Sequence, residues 1–269
     1  GNMMGWSGSI AGAVTLAAGG VLMLFGDRPG EIALATLLCV AALGWALNAI
    51  CAARIVEEPG AVEGGENAWS SIKLGLRLLR DDRDFLHFNL SRSLLLASAL
   101  ALPYVALLGQ QQSGTELGGL GVLIVVSGIA GMLASPFWGK RADRSSRQVL
   151  RDAGLAAAAC CLLGAAFAWL PGAWSATVWP YALVYALLVI VHAGVRLGRK
   201  TYLVDMAGQD RRALYVALSN SVTGVMLLVV GGITGLLAQW LGTTWLLVLL
   251  AGMALCAAAS ATRLPEVEA

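Results

Sequence analysis

The chain has 269 residues, of which 58% are hydrophobic and 13% charged, with a formal net charge of +2. A soluble domain carries about 25% charged residues to cover a single core, so an ordinary water-soluble globule is excluded, and so small a net charge is no footprint for nucleic acid. With a mean hydropathy of +0.75, the solvent for most of this polypeptide is lipid.

A helix needs about 20 apolar residues to cross the hydrocarbon core. In chain order, eight segments have that length: Trp6–Phe25, Ile32–Ala53, Phe85–Leu108, Leu117–Trp138, Val149–Leu170, Ala176–Val195, Leu214–Trp240 and Thr243–Ala261. Membrane strands are about ten residues long and alternate in polarity, whereas these runs are apolar all round, so the expected fold is all-α and polytopic. No charged n-region or small-residue cleavage site marks a signal peptide. The start at Gly1-Asn2, running almost at once into an apolar helix, suggests a fragment or a processed chain. Cys39, Cys51, Cys160, Cys161 and Cys256 all fall in apolar runs without metal or redox spacing. They read as small membrane-buried hydrophobes, and neither a metal nor a cofactor is expected.

The connections alternate in charge. Residues 26–30, 109–116, 171–175 and 241–242 hold one basic residue, Arg28. The other connections hold Arg54, the group from Lys73 to Arg83, the group from Lys140 to Arg151, Arg196, Arg199, Lys200, Arg211, Arg212 and Arg263. This positive-inside pattern makes the second set cytoplasmic, with both termini of the chain inside. Trp169, Trp174, Trp179, Trp240 and Trp245 gather at the uncharged outer ends, as an interfacial aromatic belt would, and Trp6, Trp69 and Trp138 mark the inner boundary.

The longest connection, Arg54 to Asp84, separates two spans from six. Its first part, from Glu57 to Glu66, is acidic and Gly-rich and polar enough for a disordered linker. Beyond it Trp69, Ile72, Leu76 and Leu79 recur at helical spacing with Lys73, Arg77 and Arg80 between them. That pattern suits an interfacial helix lying along anionic headgroups, or a solvated linker helix.

Between the fourth and fifth spans runs Gly139-Lys-Arg-Ala-Asp143-Arg144-Ser-Ser-Arg147-Gln-Val-Leu150. It resembles the cytoplasmic loop signature of the major facilitator superfamily, G-x-L-A-D-R-x-G-R-[KR], with Arg141 where the family often has an apolar residue and Ser146 where it often has glycine. Gly139 suits a tight turn at a helix end, Asp143 suits a helix N-terminus, and Arg144 and Arg147 supply counter-charge and contact anionic lipid. The resemblance implies that Gly139, Asp143, Arg144 and Arg147 form a latch closing the cytoplasmic side in the outward-facing state; a generic positive-inside loop is the bland alternative.

In that family the long cytoplasmic loop lies between the sixth and seventh helices, and the signature loop recurs after the eighth. The eight spans therefore resemble helices five to twelve. The resemblance implies residues 1–53 as the last two helices of an N-terminal bundle, 54–84 as a cytoplasmic linker and 85–269 as a six-helix C-terminal bundle. It also implies four further N-terminal helices of the same protein as a partner, beside the lipid bilayer and a small-molecule solute, and a location in a bacterial inner membrane. The stretches from Arg199 to Ala207 and from Arg212 to Asn220 look like the junction before the eleventh helix in a bacterial branch of these transporters.

A charge inside a span costs about 2.5 kcal/mol or more at the bilayer centre and is a candidate functional residue. Arg92 lies about two turns into the third span, and Asn89, Ser93 and Tyr104 share its face by helical spacing. The competing reading is that Arg92 snorkels to the cytoplasmic headgroups. Pro103 is expected to kink that helix near its outer end. Tyr215, Ser219 and Thr223 step by four as a polar stripe on the seventh span, to line a cavity or to bond their own backbone. Gly224, Gly231 and Gly235 offer a separate face for close helix approach. His87 and His192 are candidate proton sites or satisfied interfacial residues. Among Asp and Glu, only Asp152, at the start of Val149–Leu170, falls within a span.

The expected function is secondary active or facilitated transport by alternating access. A half-size membrane subunit or scaffold remains open. So does a membrane-embedded enzyme, for which the usual interfacial cluster of nucleophile, base or metal ligands is missing from the sequence.

Overall fold

Inside a bilayer every backbone amide and carbonyl must find its partner within the protein, so apolar runs of this length have one solution, the helix. The computed structural model describes residues 12–17, 20, 31–54, 68–114, 117–170, 172–208 and 212–267. Besides a short helical stretch at 12–17, the helices are α1 (Glu31–Ala53), α2 (Ala68–Asp81), α3 (Arg83–Leu94), α4 (Ala97–Ser113), α5 (Leu117–Ala142), α6 (Ser146–Trp169), α7 (Trp179–Met206), α8 (Arg212–Leu241) and α9 (Thr243–Ala261). No strand occurs among the described residues. Among the described residues six segments are long and apolar enough to cross a membrane: α3 with α4 as one span, then α5 from Gly121, α6, α7, α8 and α9. Most of the expected Trp6–Phe25 span, with Trp6 itself, and the acidic linker around Glu57 lie outside the described residues.

Local chemistry sets the ends. The Asp82 carboxylate accepts from the Phe85 amide at 2.9 Å and starts α3, and Ser145 does the same for α6 through Gln148 N at 3.1 Å. Pro180 occupies the first turn of α7, where no amide is needed. Gly114 closes α4 at φ 63° and Gly242 joins α8 to α9 at φ 80°, backbone that other residues adopt only with strain.

The third span is broken, and not where its proline predicts. Pro103 sits inside α4, whereas the chain turns at Leu95 and Leu96, between α3 and α4. There the bonding tightens to three-residue steps, Leu96 N to Ser93 O at 3.2 Å and Ser98 N to Leu95 O at 3.2 Å. The Ser93 hydroxyl takes Asn89 O at 2.7 Å and the Ser98 hydroxyl takes Leu95 O at 2.9 Å. Serine hydroxyls that compete for main-chain carbonyls loosen a helix in this way.

The core is the contact of α6 with α9 and of α7 with α6, α5 and α4. Lipid gives no hydrophobic drive for helices to associate, so packing rests on close approach over small side chains. Ala153, Ala157, Ala158 and Ala165 of α6 are buried together with Ala251, Ala254, Ala257 and Ala258 of α9. A Cβ added at Gly154 would lie 3.1 Å from the Ala258 backbone nitrogen. On the other side of α7, the Trp138 ring lies on Gly194, and its Nε1 donates to Ile190 O at 2.8 Å. Trp138 is thus a packing residue, 3% exposed, rather than a marker of the inner boundary. Trp169, Trp174, Trp179, Trp240 and Trp245 each stay more than half exposed. Cys160 and Cys161 are buried, but Cys39, Cys51 and Cys256 lie on the exposed faces of their helices, so only the first pair are core hydrophobes.

By contrast α8 contributes little to this core; almost all of its apolar length is bare, with Leu228 79% exposed. Its glycines make no tight helix crossing among the described residues: the space beside Gly224 and Gly235 is open, and Gly231 only approaches Leu100. Thr234, Leu237 and Ala238 are buried or packed farther along it, while its polar contacts with other helices lie near its start. There Leu218 covers Gly75 of α2, where an added Cβ would come within 2.6 Å of it. The amphipathic linker helix is therefore docked on α8; the side chains of Trp69 and Ile72 lie outside those described.

Candidate functional site

The described residues hold a buried polar cluster where α3 meets α8. Arg92 is nine residues beyond Arg83, about 14 Å into the span at 1.5 Å per residue, yet it is only 6% exposed. Its side chain does not run along the surface to the headgroups; it turns across to α8. One terminal nitrogen donates to Ser219 Oγ at 2.5 Å and the other to Asn220 Oδ1 at 2.8 Å. Ser219, fully buried, passes the chain on to Asn89 Oδ1 at 2.8 Å, and Asn89 Nδ2 donates to Phe85 O at 2.8 Å. The cluster thus consists of one guanidinium and three neutral side chains. Buried polar groups of this kind hold a defined geometry when each has a partner.

The other cavity candidates divide around this cluster. Ser93 and Thr223 give their hydroxyls to their own helices, Thr223 to Ser219 O at 2.7 Å. The break at Leu95 puts Tyr104 on a helix of its own, half-buried against the apolar core, and the spacing that aligned it with Arg92 no longer applies. Tyr215 lies nearer the start of α8, where its hydroxyl donates to Asp82 Oδ2 at 2.6 Å and its ring is 4.5 Å from that of Phe85. Asp82 therefore caps α3 with one oxygen and fastens α8 with the other.

The two histidines occupy different niches. His87 Nε2 is 3.1 Å from Ser260 Oγ, itself 2.7 Å from Ser91 Oγ, so α3 and α9 share a short hydroxyl chain. His192 Nδ1 is 3.1 Å from Ser98 Oγ, at the break of the third span. Arg199, one helical face along from His192, lies within electrostatic reach of both His192 and Arg92.

In the signature loop, α5 continues through Gly139 to Ala142, and the turn falls on Asp143 and Arg144. The glycine is thus not the turning residue. Ser145 caps α6, while Asp143 and Arg144 are exposed and form no ion pair among the described residues. Arg147 pairs with Glu266 at 2.7 Å and also donates to Leu264 O at 3.2 Å, and Ser145 Oγ donates to the same Glu266 carboxylate. Tyr202 OH holds Pro265 O at 3.0 Å, so the segment after α9 is strapped across the loop.

Sequence reasoning missed Glu266, Asp82, Ser91 and Ser260 as parts of these clusters. Asp82 carried a readable signal, an Asx residue just before a helical run. The others carried none, since only tertiary contact gives them partners. Among the described residues no His, Cys, Asp or Glu group is arranged to hold a metal.

A family model described as Major Facilitator Superfamily matches residues 98–268, from the start of α4 to beyond α9. Comparison with curated proteins and with solved structures gives no match.

Proposed function

The chain belongs to the major facilitator superfamily and is a multi-pass membrane transporter of that type; on that premise we propose that it moves a small solute by alternating access, with Asn89, Arg92 and Ser219 at the solute cavity. The carrying observation is a guanidinium about 14 Å from the cytoplasmic start of its helix that is buried among neutral side chains at a helix interface. Such a charge is expensive in a bilayer and is retained where it serves transport. Tyr215 and Thr223 extend the α8 side of the same wall, and Ser93 and Tyr104 belong to its outer part. His87 and His192, each with a serine hydroxyl partner, are the candidates for coupled proton movement.

The bare face of α8 supports a second helical bundle opposing it, as rocking of two bundles about a midplane site requires. In this reading 85–269 is one bundle, 54–84 the linker between bundles, and 1–53 part of the other, in a bacterial inner membrane with both ends of the chain cytoplasmic. Gly139, Asp143, Arg144 and Arg147 form the cytoplasmic latch. Exposure of Asp143 and Arg144 leaves them available to the opposing bundle, and the Arg147–Glu266 pair anchors the loop from behind.

The test is uptake by the full gene product in proteoliposomes, with D143N alongside. The expected outcome is a solute that crosses unaltered, and a D143N variant that folds normally but shifts the balance of inward and outward accessibility. A solute chemically changed on crossing would replace the transporter reading with an enzyme. Unchanged accessibility in D143N would remove the latch.

A further inference from the structure

We infer that Arg92, backed by Arg199, is a binding site for an oxyanion, and that the solute is an organic anion presenting a carboxylate or phosphate. This rests on the reading that Arg92 lies at the solute cavity and narrows the solute to a chemical class.

Charge balance carries the inference. The ion pairs among the described residues are Arg147 with Glu266 and Arg151 with Asp152, both in the cytoplasmic loop region. Neither involves Arg92, Arg196 or Arg199; the acidic residues of the spans are Asp84 and Asp205, each at a helix end, and Asp152, which is paired with Arg151. Instead the charge that bears on Arg92 is another cation, Arg199, which in turn feels Arg196. Arg199 is seven residues before the end of α7 at Met206, about 10 Å from that end, and belongs to a different helix from Arg92. Buried like charges without a counter-ion are repulsive and poorly solvated.

Neutral oxygens only partly relieve this. Ser219 and Asn220 satisfy the two terminal nitrogens of Arg92, but Nε is buried and without a partner among the described residues. A guanidinium presents Nε and one terminal nitrogen on a common edge, the fork that matches the two oxygens of a carboxylate or phosphate. Here half of that edge is unused and the other half is held by a neutral side chain. Asn220, on the exposed side of α8, is the partner an arriving anion would displace first. Binding would then exchange one hydrogen bond to a neutral acceptor for two to an anion and offset the repulsion from Arg199.

The same oxyanion chemistry is offered by a soluble anion and by an anionic lipid headgroup, and the experiment separates them. The full chain is placed in nanodiscs of phosphatidylcholine, and its unfolding temperature is followed by tryptophan fluorescence. Acetate, succinate and inorganic phosphate are titrated against glucose and choline at matched ionic strength. The expected result is a saturable rise in Tm with at least one anion and none with glucose or choline. R92Q abolishes the rise, and R92K, which keeps charge but loses the fork, weakens apparent affinity by about tenfold or more. R199Q weakens it less. If R92Q fails to fold, R92K and R199Q carry the comparison.

No anion-dependent rise, or an equal rise in R92Q or R92K, overturns the inference. A rise produced only by adding phosphatidylglycerol to the discs assigns the site to lipid and overturns the solute class. Uptake of a neutral solute that these anions neither bind against nor inhibit leaves the transporter reading standing while this inference falls. Arg92-dependent anion binding with no solute crossing does the reverse.

Discussion

Two kinds of seam occur in the described bundle, and they are built on opposite principles. Where α6 meets α9, and α7 meets α5, alanines, glycines and one tryptophan interlock with hardly a polar atom between the helices. Where α3 meets α8, contact is sparse and runs through Arg92, Ser219, Asn89, Tyr215 and Asp82. In lipid the first kind is secured by van der Waals contact over many atoms. The second depends on a few hydrogen bonds that a ligand or a water can replace one at a time. A bundle with seams of both kinds has a stiff side and a side able to rearrange, and the solute residues are proposed on the latter.

Substitution can break this contrast in graded steps. The largest effect is expected from Gly194→Leu, because a Cβ there would sit 2.4 Å from the Trp138 ring, which its own bond to Ile190 holds in place. A loss of about 3 kcal/mol is expected, read as a collapse of the thermal transition in detergent. The matched change Gly224→Leu, facing open space, should stay within about 0.5 kcal/mol. Equal damage at both positions would mean that α8 is packed as tightly as α7.

Next comes Ser219→Ala. It removes the acceptor of Arg92 and the donor to Asn89 inside a buried site, and a loss of about 2 kcal/mol is expected. Combined with Asn89→Ala the cost should fall well short of the sum, since the two share one chain of bonds. Strict additivity in the double-mutant cycle would dissolve the cluster as a unit.

Glu266→Gln is expected to change the unfolding temperature by less than about 1 kcal/mol equivalent, because the Arg147 and Glu266 side chains are 33% and 37% exposed and solvent screens the pair. Its effect should be on accessibility to impermeant thiol reagents at the cytoplasmic side, not on folding. The smallest change belongs to Thr223→Val, whose hydroxyl serves only its own helix. Stability within about 0.5 kcal/mol and unaltered uptake are expected. A clear loss of uptake would mean that the Thr223 hydroxyl itself, and not only the helix face that carries it, serves the cavity wall.

The sequence by itself determined the helical class, the family and the position of most described spans to within about five residues, although α7 runs on to Met206, well past its expected end at Val195. It could do so because a bilayer permits almost no other backbone and because the signature loop carries its charges in order. The Thr243–Ala261 helix keeps the bounds its apolar run has. The candidate residues Arg92, Asn89 and Ser219 were legible because polar groups are rare and costly inside such runs.

Only the tertiary structure decided who meets whom. Helices that are apolar on every side do not encode which face turns inward, so the crossing of Arg92 to Ser219 and Asn220 had no signature in spacing. The break at Leu95 depends on serine hydroxyls competing for carbonyls, a balance that outweighed the proline eight residues on. The contacts of Arg147 with Leu264, 117 positions away, and with Glu266 hold the strap after α9, and Trp138 left the boundary because Gly194 gave it a place to pack. Such contacts depend on the rotation and register of whole helices, and these are fixed by the summed packing of the bundle rather than by any one segment.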